Sequence, residues 1–123
     1  MKLPEFQLLM TGVLLNAAAQ LLLKVAAQSV GPIAPGLAGA RSFAAALAVT
    51  PACWAALLAY ALSVGVWTAG LSRVPVSQAY PLLSVGYALM LLAGWWMFGE
   101  TPSLMRVGGI AVIIAGVAMV AAS

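Results

Sequence analysis

The sequence predicts an all-α membrane protein: four transmembrane helices with short loops, one domain over residues 1–123, paired as an antiparallel dimer. Three observations carry this expectation. Hydrophobic residues make up 65% of the 123 positions and charged residues only 6%, with a mean hydropathy of +1.13, whereas a soluble domain carries roughly a quarter charged residues. Four apolar stretches each reach the roughly 20 helical residues needed to cross a hydrocarbon core of about 30 Å. The last two connections are so short that the helices they join must run antiparallel.

The first span is expected over about residues 5–28. Its apolar run from Phe6 to Leu23 is longer than a signal peptide's apolar core of about 7–15 residues, and it contains Asn16 and Gln20, so it reads as a retained spanning helix. The connection 29–51 is the one long loop, and Gly31-Pro32-Ile33-Ala34-Pro35-Gly36 breaks any helix there. Leu37 to Val49 is too short to span. It reads as a short interfacial helix, or as an extension of the second span toward Thr50-Pro51, where proline suits a first helical turn. The second span follows at 52–72, then Arg73-Val74-Pro75, then the third at 76–97. Gly99-Glu100-Thr101-Pro102 leads into the fourth at 102–122. Trp54, Trp67, Trp95 and Trp96 fall toward span ends and read as headgroup-level anchors.

The net charge of +3 is spread singly over Lys2, Lys24, Arg41, Arg73 and Arg106 against Glu5 and Glu100. Scattered charges of this kind give no nucleic-acid surface; they fit membrane lipids or a phosphate-bearing ligand. One cysteine and no histidine exclude a disulfide framework, a zinc site and a histidine proton relay within one chain, and no cofactor is expected. With four spans both termini share a side. Lys2 and Arg73 lie there, opposed by Arg41, Arg106 and an outward-reaching Lys24, a balance too even to fix orientation by the positive-inside rule. The chain is therefore compatible with insertion both ways.

Candidate site residues come from helical spacing. Asn16, Gln20 and Lys24 are four apart, and each step of four overshoots a turn by about 40°, so they share a stripe about 80° wide. Amide and ammonium groups facing lipid are costly, which turns the stripe toward protein or a watery cavity. The competing reading makes the amides interhelical glue and Lys24 a snorkelling cation. Tyr80, Ser84 and Tyr87 are spaced i, i+4, i+7 and should line one face of the third span. Pro81 leaves the Ser77 carbonyl free and predicts a kink. On the last span Gly109 and Gly116 permit close backbone approach and are assigned to the dimer contact. Glu5 and Glu100 fall at span ends, which leaves Lys24 without an acidic partner in the membrane. Glu100 is expected to complement the N-terminus of the last helix.

Asn16-Ala17-Ala18-Ala19-Gln20-Leu21-Leu22-Leu23-Lys24, Val74-Pro75-Val76-Ser77-Gln78-Ala79-Tyr80-Pro81-Leu82-Leu83-Ser84 and Gly99-Glu100-Thr101-Pro102 together resemble the small multidrug resistance-like (EamA-like) branch of the drug/metabolite transporter superfamily. The third and fourth spans look most like its aminoarabinose-phosphoundecaprenol flippase subunits. Two positions depart from the drug exporters of that branch: their first-helix membrane glutamate is matched here by Asn16, and the tryptophan before their third-helix serine by Leu83. Asparagine cannot release a proton near neutral pH, so proton-coupled export of aromatic cations is disfavoured.

The resemblance implies a non-enzymatic transporter or flippase subunit of the bacterial inner membrane. Its ligand would be a polyprenyl-phosphate-linked sugar, with Lys24 on the phosphate, Asn16 and Gln20 on the head, and Tyr80, Ser84 and Tyr87 along the path. A homodimer, or a heterodimer with a homologous subunit, is implied because four helices are too few to enclose a large head. The alternatives are a small exporter of cations or polyamines and a non-transporting accessory subunit.

Overall fold

Proline, glycine and serine set the helix boundaries in the computed structural model, which describes residues 2–123. Helix α1 (Leu3–Val30) starts with Pro4 in its first turn, where a missing N–H costs nothing, and ends at Gly31, whose φ of 89° few other residues adopt. The Lys2 N–H donates to Glu5 Oε2 at 3.1 Å across that first turn. Helix α2 (Gly36–Ala48) is separate from α3 (Pro51–Leu71). Of the two expectations for Leu37 to Val49, the short independent helix is therefore the one observed. Its junction with α3 is closed by Thr50 Oγ1 donating to the Ala46 carbonyl at 2.8 Å and Trp54 Nε1 donating to the Ala48 carbonyl at 2.7 Å.

The third span, Val76–Phe98, is built from α4 (Val76–Ala79), a 3₁₀ segment (Tyr80–Ser84) and α5 (Val85–Phe98). Pro81 sits in the first turn of the 3₁₀ segment, so the disturbance expected from proline is a tightening of the helix over five residues. The span ends at Gly99 with φ 68°. Helix α6 (Leu104–Ala122) is capped by Ser103, whose Oγ accepts from the Arg106 N–H at 3.1 Å. The cap falls to a serine oxygen because Ser103 stands immediately before the first helical residue. Among the described residues, α1, α3, the third span and α6 are the four helices long and apolar enough to cross a membrane. The chain is a multi-pass membrane protein.

The bundle is tightest toward the end that holds both termini. Leu9, Val74, Ala79, Leu82 and Val117 form the buried core there, with Trp67, Leu71, Val85 and Ile113 packed around it. Glycines lie on both faces where α1 meets α3, and Gly70 is the one the contact requires. A side-chain carbon on Gly12 would lie 3.4 Å from Trp67 Cα, and one on Gly70 would collide with the Leu9 side chain. In lipid such close contact is the main source of helix association. Trp67, expected as a headgroup anchor, also makes contacts between helices. It packs on Gly12 and meets Tyr80 edge-to-face at 5.6 Å. Gln78 Nε2 donates to the Ser123 carbonyl at 3.2 Å, tying the start of the third span to the C-terminus. Helix α6 is the least covered, and carbons added at Gly109 or Gly116 would meet nothing within 4 Å.

Candidate functional site

Away from the tight end, α1 and α5 diverge around a cavity of about 600 Å³. Helix α1 contributes Asn16, Gln20 and Lys24, the whole polar stripe read from the four-residue spacing; α5 contributes Gly86, Tyr87, Met90, Gly94 and Phe98, and the turn beyond it contributes Glu100. The apolar walls of Val13, Ala17, Leu21 and Leu83 lower the local dielectric, which strengthens every polar contact made inside.

The polar groups of this cavity are only partly matched. Gln20 Nε2 donates to the Tyr60 hydroxyl of α3, which fixes that amide. Asn16 Oδ1 is buried and has no hydrogen-bond partner. A buried, unserved carbonyl oxygen of this kind costs about 1–3 kcal/mol. Lys24 Nζ stands 4.0 Å from Glu100 Oε1 and 5.9 Å from the centre of the Phe98 ring. Both charged side chains are about half exposed, 47% for Lys24 and 56% for Glu100, so this open pair contributes little to stability.

This pairing corrects the expectation that Lys24 has no acidic partner. Glu100 lies outside the helices in sequence, but the left-handed Gly99 turns the chain back, and the Glu100 N–H donates to the Gly94 carbonyl at 2.9 Å. A side-chain carbon on Gly94 would collide with a Glu100 carboxylate oxygen; the glycine leaves the room in which that carboxylate lies. A smaller cleft of about 240 Å³ adjoins the cavity across Tyr87, Met90 and Glu100, and Arg106 and Ile110 of α6 line its far side.

A protein from Erwinia tasmaniensis named "Probable 4-amino-4-deoxy-L-arabinose-phosphoundecaprenol flippase subunit ArnF" is 38% identical over 114 residues, covering 88% of this chain and 87% of the relative. The chain belongs to this family of flippase subunits. An ArnF relative from Pseudomonas fluorescens is 41% identical over 85 residues, covering 68% of this chain and 60% of the relative. A subunit named ArnE from Pseudomonas aeruginosa is 39% identical over 70 residues, covering 57% and 61%. No protein-family model matches the chain. No solved structure matches it.

In this flippase-subunit chain the cavity gathers four of the six residues singled out for ligand contact: Asn16, Gln20, Lys24 and Tyr87. Tyr80 and Ser84 are not among its lining residues, and Tyr80 instead packs on Trp67. The cause is the 3₁₀ segment. It advances about 120° per residue where an α-helix advances about 100°, so Tyr80 and Tyr87 end up roughly 60° apart. Glu100 and Tyr60 are the polar residues that spacing did not find. Their partners lie 76 positions before and 40 positions before them in the chain, and no local pattern links them.

Proposed function

We propose that this chain is a subunit of a flippase that carries a polyprenyl-phosphate-linked sugar across the bacterial inner membrane. The observation that carries the reading is the cavity between α1 and α5, which Asn16, Gln20 and Lys24 line together. The polar head must cross hydrocarbon while the tail stays in lipid. A space bordered by helices satisfies both needs, because ionisable groups inside a membrane face a cavity rather than the acyl chains. Lys24 takes the phosphate, Asn16 and Gln20 hold the sugar, and Tyr87 borders the path. The amino sugar in the relatives' names makes aminoarabinose the first head to try. No bond is made or broken in such a step, so the chain is a transporter subunit rather than an enzyme. The open Gly109 and Gly116 face of α6 is the surface proposed for a second subunit, identical or homologous.

The test separates a specific phosphate contact from a generic anchor. Moving the charge by one residue, with Lys24→Leu and Val25→Lys together, keeps a cation near the helix end but rotates it about 100° out of the cavity. Val25 is exposed in the native chain, so the new lysine has room to reach the headgroups. Lipid binding is expected to fall about tenfold or more, the scale of one lost charge-assisted hydrogen bond, with insertion and helix content unchanged. Full binding by the relocated lysine would make Lys24 an anchor and remove the phosphate site.

A further inference from the structure

The geometry points to Glu100 as the residue that reads an amine on the transported head, with Lys24 taking the phosphate. This rests on the flippase reading above and deepens it, because it assigns a residue of this chain to the amine of such a head. A site for a plain anion gains nothing from a carboxylate. Placed 4.0 Å from the cavity's cation, Glu100 repels any phosphate that approaches Lys24 and competes with it for the ammonium. The residue nevertheless lies against Gly94, in space that any larger residue there would take, and its backbone N–H is tied to the Gly94 carbonyl.

The hydrogen-bonding inventory points the same way. At 4.0 Å the Lys24 ammonium is beyond ordinary hydrogen-bond reach, and no hydrogen bond to the Glu100 carboxylate is formed among the described residues. Asn16 Oδ1 is likewise without a donor. The cavity thus offers one cation and one open, unserved acceptor, the Glu100 carboxylate. A phosphate has only acceptors to give and leaves that carboxylate unmatched. An ammonium brings three donors and converts the carboxylate from an obstacle into a contact. Arg106, across Glu100 in the adjoining cleft, leaves the local balance at two cations and one anion, which suits a phosphodiester and an ammonium held together.

The experiment measures binding of two lipids to the full chain in nanodiscs: undecaprenyl phosphate bearing an amino sugar, and the same lipid with its amine acetylated. The native chain is expected to prefer the free amine by about tenfold or more. Glu100→Gln is expected to bring the ratio within about twofold while the acetylated lipid binds at least as well as before; Glu100→Asp is expected to keep the preference. A purely structural Glu100 would weaken both lipids alike. Gly94→Ala is a second variant that needs no change at Glu100, since its added carbon displaces the carboxylate oxygen from its native position, and it too is expected to lower the preference. Equal binding of both lipids by the native chain, or an undiminished preference in Glu100→Gln, overturns the role of Glu100 and leaves the flippase reading standing. Failure of the native chain to bind either lipid overturns both.

Discussion

Replacing Asn16 by leucine is expected to make the ligand-free protein more stable and to weaken lipid binding at the same time. Asn16 Oδ1 is buried without a donor among the described residues, and removing an unserved buried acceptor recovers about 1–3 kcal/mol. Leucine is close to asparagine in shape, so the neighbouring Val13 and Ala17 of α1 need not move. Thermal unfolding in detergent reads the gain. Binding of the lipid-linked sugar reads the loss, expected at about tenfold, because the cavity loses the amide that Asn16 brings to its lining. The opposing signs are what make the result decisive. An asparagine that served as interhelical glue would lose stability on the same substitution, since its hydrogen bond to a neighbouring helix would be broken.

Gly70→Leu is expected to have the largest effect on the bundle itself. A carbon at this position already collides with the side chain of Leu9, which is fully buried in the core. Overpacking of this kind costs about 1–3 kcal/mol, sometimes more. Here it falls on the α1–α3 contact that positions the polar stripe of α1, so lipid binding is expected to drop together with thermal stability. Gly65 lies on the same helix, and a carbon added there meets nothing within 4 Å. Gly65→Leu is therefore the matched control, with an expected change within about 0.5 kcal/mol. Equal effects of the two substitutions would mean that the Leu9–Gly70 contact does not hold α1 on α3.

The contrast between these two sites bears on how much of the molecule its sequence made legible. The four spans were readable because crossing a bilayer imposes length and apolarity on a continuous stretch, and both are local properties. The stripe of Asn16, Gln20 and Lys24 was readable for a related reason: α1 runs unbroken from Leu3 to Val30, so a four-residue spacing keeps its phase. The same arithmetic failed on the third span. Pro81 tightens the backbone over Tyr80–Ser84, the phase slips, and Tyr80 turns to Trp67. Proline announced a disturbance without announcing its form. The Trp67 packing was hidden because its partners, Gly12 and Tyr80, lie on other helical elements.

Glu100 was hidden more deeply. In sequence it belongs to a turn beside a proline and near a helix start, where a carboxylate ordinarily complements the helix dipole. What places it against Lys24 is the left-handed Gly99 together with the space at Gly94. Neither glycine predicts the direction of a neighbouring side chain until the backbone path is known. Its consequence for function is also non-local, since a lone lysine in the membrane argues for an anionic ligand and a lysine beside a carboxylate argues for a head with both charges.

Photochemical labelling tests the central claim, that the cavity between α1 and α5 holds the polar head, most directly. An undecaprenyl phosphate whose sugar carries a diazirine is bound to the full chain in membranes, irradiated, and the labelled residues are identified by mass spectrometry. The account predicts labels on the stretch from Val13 to Lys24 and on residues between Leu83 and Phe98 that line the cavity, with label lost when unmodified lipid is added in excess. Labels confined to outward-facing positions such as Trp96, Leu104 and Met105, undiminished by that competitor, would contradict it.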